Sequence, residues 1–215
     1  MSTVLLNGSP KGNSEKSASY FLAKAFVRDM EQPCAIRSLA TEDTTSLLEE
    51  LRHFDHVILF APNYIHALPG IVFEFLEQLP PADHPQSFGL IVQSGYPESA
   101  ESETICAYFA ALMKHLGYGL LGTVIKGECA GIPMMPGMFE KLAARFAAFG
   151  RAYEQSGTFP EAFVKEFGEP YMLSKANRRM LNILDKFGVT KMFWHKIQKQ
   201  HGCYKSRLDR PFQPE

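Results

Sequence analysis

The sequence is short of cysteine and of long apolar runs, and each shortage narrows what it can be. Only four cysteines, Cys34, Cys106, Cys129 and Cys203, occur in 215 residues, and no two form a C-x-x-C pair. His201 lies two residues before Cys203, but no His or Cys set has zinc spacing. The cysteines therefore read as reduced thiols of a cytoplasmic protein, with neither a disulfide framework nor a metal site. No apolar stretch approaches the roughly 20 residues that span a bilayer. The N-terminal residues Met1 to Leu6 enter a strand pattern with no basic segment before it, which argues against a signal peptide. Two nucleotide signatures are also missing. Without G-x-x-x-x-G-K-[ST] the chain has no P-loop for ATP, and without G-x-G-x-x-G a dinucleotide-binding turn is not indicated.

What is present suits one well-cored domain with additional structure. Hydrophobic residues make up 46% and charged residues 21%, ordinary values for a globular chain and far from those of disorder. Residues 3–7, 34–39, 56–61, 88–93 and 120–125 read as strands. Helical patterns over 15–30, 44–52, 69–79, 99–116 and 138–154 alternate with them. In the first helix Ala18, Phe21, Leu22, Ala25 and Phe26 share one face. The run His56 to Ala61 is apolar throughout, as expected of a central parallel strand covered on both faces. Strand followed by helix, five times over, predicts an α/β fold with a parallel sheet and right-handed crossovers. A boundary is expected near 156–160. It separates a domain over 1–157 from a helical C-terminal extension over 158–215, with helices at about 161–167, 174–187 and 190–200.

The formal net charge of −1 conceals an uneven distribution. Residues 175–210 hold ten Lys/Arg against Asp185 and Asp209, whereas residues 1–174 hold twelve Lys/Arg against twenty acids. The tail also carries the apolar residues Met180, Leu184, Phe187, Val189, Met192, Phe193, Trp194 and Ile197 among its lysines. A basic amphipathic tail of this kind can pack on its own acidic body or on a second subunit, lie on an anionic membrane, or meet nucleic acid. The matching charges and the Trp/Phe anchors make a protein surface the preferred reading, in a homodimer or tetramer. The same tail could also cover the ligand or hold a phosphate through Arg178 or Arg179.

In an open α/β sheet ligands bind beyond the carboxyl ends of the strands, and three loops leave such ends. The first, Gly8 to Ser14, offers glycines for a tight curl and the short donors Ser9, Asn13, Ser14 and Ser17. The positive end of the following helix completes a cradle for a monophosphate. The same residues also fit a plain turn with Asn13 or Ser14 capping the helix. The second loop, Pro62 to Gly70, could set backbone donors after Pro62 at the edge of a planar ring, with Tyr64 and Ile65 against its face. Its His66 reads as a solvent-facing loop residue. The third, Ser94-Gly95-Tyr96, permits close backbone approach at Gly95 and places Tyr96 over the opposite face. Ser99 reads as the cap of the next helix.

Together these residues carry a resemblance. Leu6-Asn7-Gly8-Ser9-Pro10-Lys11-Gly12-Asn13-Ser14 resembles the G-S-x-[RK] phosphate loop of the NADPH-dependent FMN reductase family, within the flavodoxin-like superfamily. Pro62-Asn63-Tyr64 with Leu68-Pro69-Gly70 is similar to that family's loop after the third strand. The likeness covers about residues 1–155. It implies a flavodoxin-like three-layer sandwich with sheet order 2-1-3-4-5. It implies FMN phosphate at Ser9, Lys11, Asn13, Ser14 and Ser17, and the flavin ring between Pro62, Asn63, Tyr64, Ile65 and Ser94, Gly95, Tyr96. It implies NAD(P)H as co-substrate and a small-molecule electron acceptor: a quinone, free flavin, an azo or nitro compound, or iron. Lys11 stands where the family commonly has Arg. No acid–base residue is nominated, because hydride transfer to a flavin requires none. A flavodoxin-like electron carrier without a nicotinamide site is the alternative.

Overall fold

The computed structural model describes residues 2–209. Five strands, β1 (Thr3–Asn7), β2 (Ala35–Ser38), β3 (His56–Pro62), β4 (Ser87–Gln93) and β5 (Gly119–Lys126), form one parallel sheet in the order β2-β1-β3-β4-β5. Between and after them run α1 (Ala18–Val27), α2 (Thr44–Leu51), α3 (Gly70–Gln78), α4 (Glu103–Leu116) and α5 (Glu140–Ser156). Side chains along a strand alternate between faces. Val4, Leu6, Val57, Leu59 and Ala61 therefore point to one side, where they meet Leu47 and Leu51 of α2, Val72, Phe75 and Leu76 of α3, and Phe109 of α4. Leu5, Ile58, Phe60 and Ile91 point to the other, against Leu22 and Phe26 of α1 and Phe146, Phe149 and Tyr153 of α5. Burial on both faces is why β1 and β3 read as unbroken apolar runs.

Helix α1 starts later than the pattern over 15–30 predicts. Ser17, not Asn13 or Ser14, is its cap, with Ser17 Oγ accepting from the Tyr20 amide at 3.1 Å. Ser99 opens a short 3-10 turn, Ser99–Ser102, before α4, and its side chain makes no capping bond there. Pro69 is the residue before α3, so its missing N–H costs nothing.

The compact unit built on this sheet runs to Met172, well past the expected boundary at 157, and a second unit begins at Leu173. The reason lies in three phenylalanines. Phe159 and, from α6 (Glu161–Phe167), Phe163 and Phe167 join the core of the second face, with Phe159 and Phe167 buried. Gly89 of β4 is in register with Gly122 of β5, and the Phe159 side chain rests on both. A Cβ at Gly89 would stand 2.6 Å from that ring, and one at Gly122 would stand 2.9 Å from the Phe159 Cβ. The second unit consists of α7 (Lys175–Lys186) and α8 (Val189–Gln200). Ser174 caps α7 by accepting from the Asn177 amide at 3.1 Å, and Gly188 turns the chain at φ +76°.

Candidate functional site

The parallel register brings the carboxyl ends of β1, β3 and β4 side by side: Asn7 lies opposite Phe60, and Pro62 opposite Gln93. Beyond these ends lies a cleft of about 220 Å³. Six of the residues singled out from the sequence line it: Ser9, Lys11, Pro62, Asn63, Tyr64 and Gly95. Ala18, Gln93, Cys129, Ala130 and Pro133 line it as well. Two hollows elsewhere are larger. One, of about 290 Å³, opens among Ser2, Cys34 and Glu154, at the amino ends of the strands. The other, of about 330 Å³, lies beside the edge strand β5. Neither lies at the strand ends where an open α/β sheet binds its ligand.

The loop after β1 is organised by Asn7, the last residue of that strand. Asn7 is fully buried, and its side chain is the hub of the turn. Its Oδ1 accepts from the Ser9 amide at 3.1 Å, and its Nδ2 donates to Gly12 O at 2.8 Å and to Asn13 Oδ1 at 3.0 Å. Gly12 takes φ +62°, where a side chain is strained. Asn13 is held at both ends, because its Nδ2 also donates to Ile36 O at 3.1 Å. Ser14 Oγ donates to Lys11 O at 2.8 Å. The side chains of Asn13, Ser14 and Ser17 thus build the loop and cap the helix, so what this stretch offers outward is backbone. Among the described residues, the amides of Asn13, Glu15 and Lys16 have no protein acceptor. The first-turn amides of α1 add the positive end of a helix. Ser9 is buried, and its Oγ accepts from the Lys11 amide at 3.3 Å, which leaves its proton to donate. Lys11 is exposed.

The loop after β3 is a tight reversal. Tyr64 and Ala67 exchange backbone hydrogen bonds of 2.8 and 3.3 Å, and Ile65 and His66 lie at φ +53° and +63°. A β-branched residue in the left-handed region is a strained choice, and Ile65 is 91% exposed there. Asn63 is locked from three directions. Its amide donates to Gln93 O at 2.7 Å, and its Nδ2 to Ser102 Oγ at 2.8 Å and to Glu101 O at 3.1 Å. Its Oδ1 is buried with no partner among the described residues. An unmatched buried acceptor costs about 1–3 kcal/mol. His66 sits against Glu101, 3.1 Å from its carboxylate, and does not line the cleft. Partial burial pushes the Tyr64 phenol above its ordinary range.

The loop after β4 is pinned from beneath. Ser94 Oγ donates to Tyr96 O at 2.9 Å, and Tyr96 O also accepts from the Glu128 amide at 3.0 Å. The Ser94 side chain is thereby turned into its own loop, while the Tyr96 ring is largely exposed. Cys129, at the cleft wall, is held neutral: burial pushes its thiol up to about 12.

The parallel order, the helices on both faces and the cleft at the strand ends define a flavodoxin-like α/β fold. No family model and no curated protein matches the chain. Several solved structures match its fold. An azoreductase from Bacillus anthracis str. Sterne is 15% identical with a TM-score of 0.53, over 71% of this chain and all (100%) of that one. An NAD(P)H:quinone oxidoreductase from Methanothermobacter marburgensis is 13% identical, TM-score 0.55, over 71% of this chain and 96% of its own. The general stress protein 14 from Treponema denticola, solved with FMN, is 11% identical, TM-score 0.56, over 73% and 99%. At these identities the likeness establishes the fold. No helix among the described residues is long and apolar enough to cross a membrane.

Proposed function

We propose that the chain is an FMN-dependent oxidoreductase that takes electrons from NADH or NADPH and passes them to a small acceptor such as a quinone, a flavin or an azo compound. The observation that carries this reading is the orphaned Oδ1 of Asn63, a residue that lines the same cleft as Ser9 and Lys11. A flavin mononucleotide suits that donor set. Its phosphate asks for several N–H and O–H donors and one cation, and its ring edge carries an N–H that needs an acceptor.

The amides of Asn13, Glu15 and Lys16, the Ser9 hydroxyl and the start of α1 would hold the phosphate, with Lys11 adding charge. Asn63 Oδ1 would accept at the ring edge, and the Tyr64 side chain would lie against the ring. Tyr96 stands exposed on the loop opposite. Bound FMN supplies the hydride acceptor and donor. The protein's part is to fix the ring and to leave one side open. The cleft is smaller than the roughly 300–1,000 Å³ of enclosing ligand pockets, so a ligand of this size projects beyond it. The raised thiol of Cys129 argues against a nucleophilic role for that residue. The solved structures of like fold include an FMN complex and reductases named for quinone and azo substrates, which supports the reading.

The test is anaerobic mixing of the FMN-loaded protein with excess NADPH, and separately with NADH, while flavin absorbance is followed. Bleaching within seconds with either supports the reductase. Stable FMN binding with no bleaching would instead identify an electron carrier.

A further inference from the structure

The second unit, residues 173–209, has a job of its own to explain. Along α7, Ala176, Met180, Ile183, Leu184 and Phe187 recur at intervals of three and four residues and fall on one face. No residue of α7 is buried, and Met180, Ile183 and Phe187 are 54%, 55% and 81% exposed. Lys175, Arg179 and Lys186 fall together along one flank of this face, and Arg178 lies opposite it beside Asp185. In α8, Met192 and Trp194 are 71% and 59% exposed beside Lys191, Lys196 and Lys199. Residues 173–209 hold nine Lys/Arg against two acids, a net +7, whereas residues 1–172 hold twelve against twenty, a net −8.

We infer that this unit docks on an anionic lipid bilayer, lying in the interface with the apolar face of α7 inserted and its cations among the headgroups. Three observations select lipid over protein. Two copies of the unit placed face to face would bring +7 against +7. A folded partner must set carboxylates at positions matched to each cation, whereas a lipid surface asks only that apolar and basic arcs be separated, as they are on α7. The helix also carries its own cap at Ser174 and its own stop at Gly188, so the face is held in shape without a partner. No helix among the described residues is long and apolar enough to span a bilayer, and the proposed contact is peripheral. The sequence alone preferred a protein partner. That no residue of α7 is buried moves the choice to lipid. This inference does not rest on the flavin site.

Trp194 is the single tryptophan of the chain and serves as a built-in reporter. The full-length protein is titrated with vesicles of phosphatidylglycerol and phosphatidylcholine, and in parallel with phosphatidylcholine alone, following Trp194 emission and co-sedimentation. A blue shift and sedimentation with the anionic vesicles are expected, with binding about tenfold or more weaker to the neutral ones and weakened by added salt. Phe187→Ser and Ile183→Ser keep the charge and lie at exposed positions, and each should weaken binding by about tenfold through lost apolar insertion. The absence of any shift with anionic vesicles would overturn the inference. So would equal binding to both vesicle types, or binding indifferent to both substitutions. A concentration-dependent dimer that Phe187→Ser dissociates, in protein that ignores vesicles, would point to a protein partner and overturn it as well.

Discussion

Residues 159–167 and 176–187 are neighbouring stretches of similar length, each rich in large apolar side chains, yet the structure treats them in opposite ways. Phe159, Phe163 and Phe167 gather around Phe149 with ring centroids 5.1, 5.3 and 5.7 Å away, and Phe167 lies 4.5 Å from Phe146. In α7 nothing is buried. The difference does not reside in the helices. It resides in what receives them: two glycines in register on β4 and β5 leave a flat notch on the sheet, and Phe159 fills it. An apolar residue is a core residue only where another element has left room for it.

The largest expected contrast is between two truncations. A chain ending after 157 loses all three phenylalanines. A Phe→Ala change alone costs about 3–5 kcal/mol, against a total domain stability of about 5–15 kcal/mol. That protein should show no cooperative thermal transition. A chain ending after 172 should melt cooperatively at the full-length midpoint. Similar behaviour of the two would erase the distinction.

Next in size comes the notch itself. Phe159→Ala should destabilise by about 3–5 kcal/mol and Gly89→Ala by about 1–3 kcal/mol, measured by urea unfolding. Because the added methyl of Gly89→Ala presses on the Phe159 ring, the double variant should cost clearly less than the two singles together.

A smaller effect follows pH. His56 Nδ1 lies 2.7 Å from the Tyr153 hydroxyl, which also pairs with Thr3 Oγ1 at 3.0 Å beneath the aromatic face. Burial lowers the His56 pKa below its ordinary 6.5, with the Asp55 carboxylate opposing. The unfolded chain therefore takes up this proton first as pH falls. The stability contributed by neutral His56 is present above the ordinary histidine range and is lost as pH drops through it towards the lowered value. His56→Gln should flatten that part of the stability–pH curve. The smallest effect is expected in α7, where Phe187→Ser should change stability by no more than about 0.5 kcal/mol.

Most of the fold was legible, because its parallel strands are buried on both faces and punctuated by turn residues. The sheet order came through the loop motifs rather than the strands. The end of the first unit was not legible: the notch depends on Gly89 and Gly122 meeting across a ladder, and register between strands is not written in either one alone. At the site, the residue types mark three loops and point their side chains outward. Asn13, Ser14 and Ser94 turn inward instead, since a curled loop must satisfy its own carbonyls and amides first. Asn7 was passed over because a polar residue at the end of a buried strand looks like a terminator. Its full burial is what makes it the hub. The left-handed pair Ile65–His66 has no local signal either, as a β-branched isoleucine disfavours that conformation.

The proposed flavin mononucleotide site, formed by the Asn7-centred loop and Asn63, is open to an equilibrium titration. Protein stripped of any chromophore is added to FMN while flavin fluorescence is followed. A one-to-one complex with a Kd at or below about 10 µM is expected, weakened by Asn7→Ala and by Asn63→Ala, with riboflavin, which lacks the phosphate, binding at least about tenfold less tightly. Unchanged fluorescence at about 100 µM protein would contradict it.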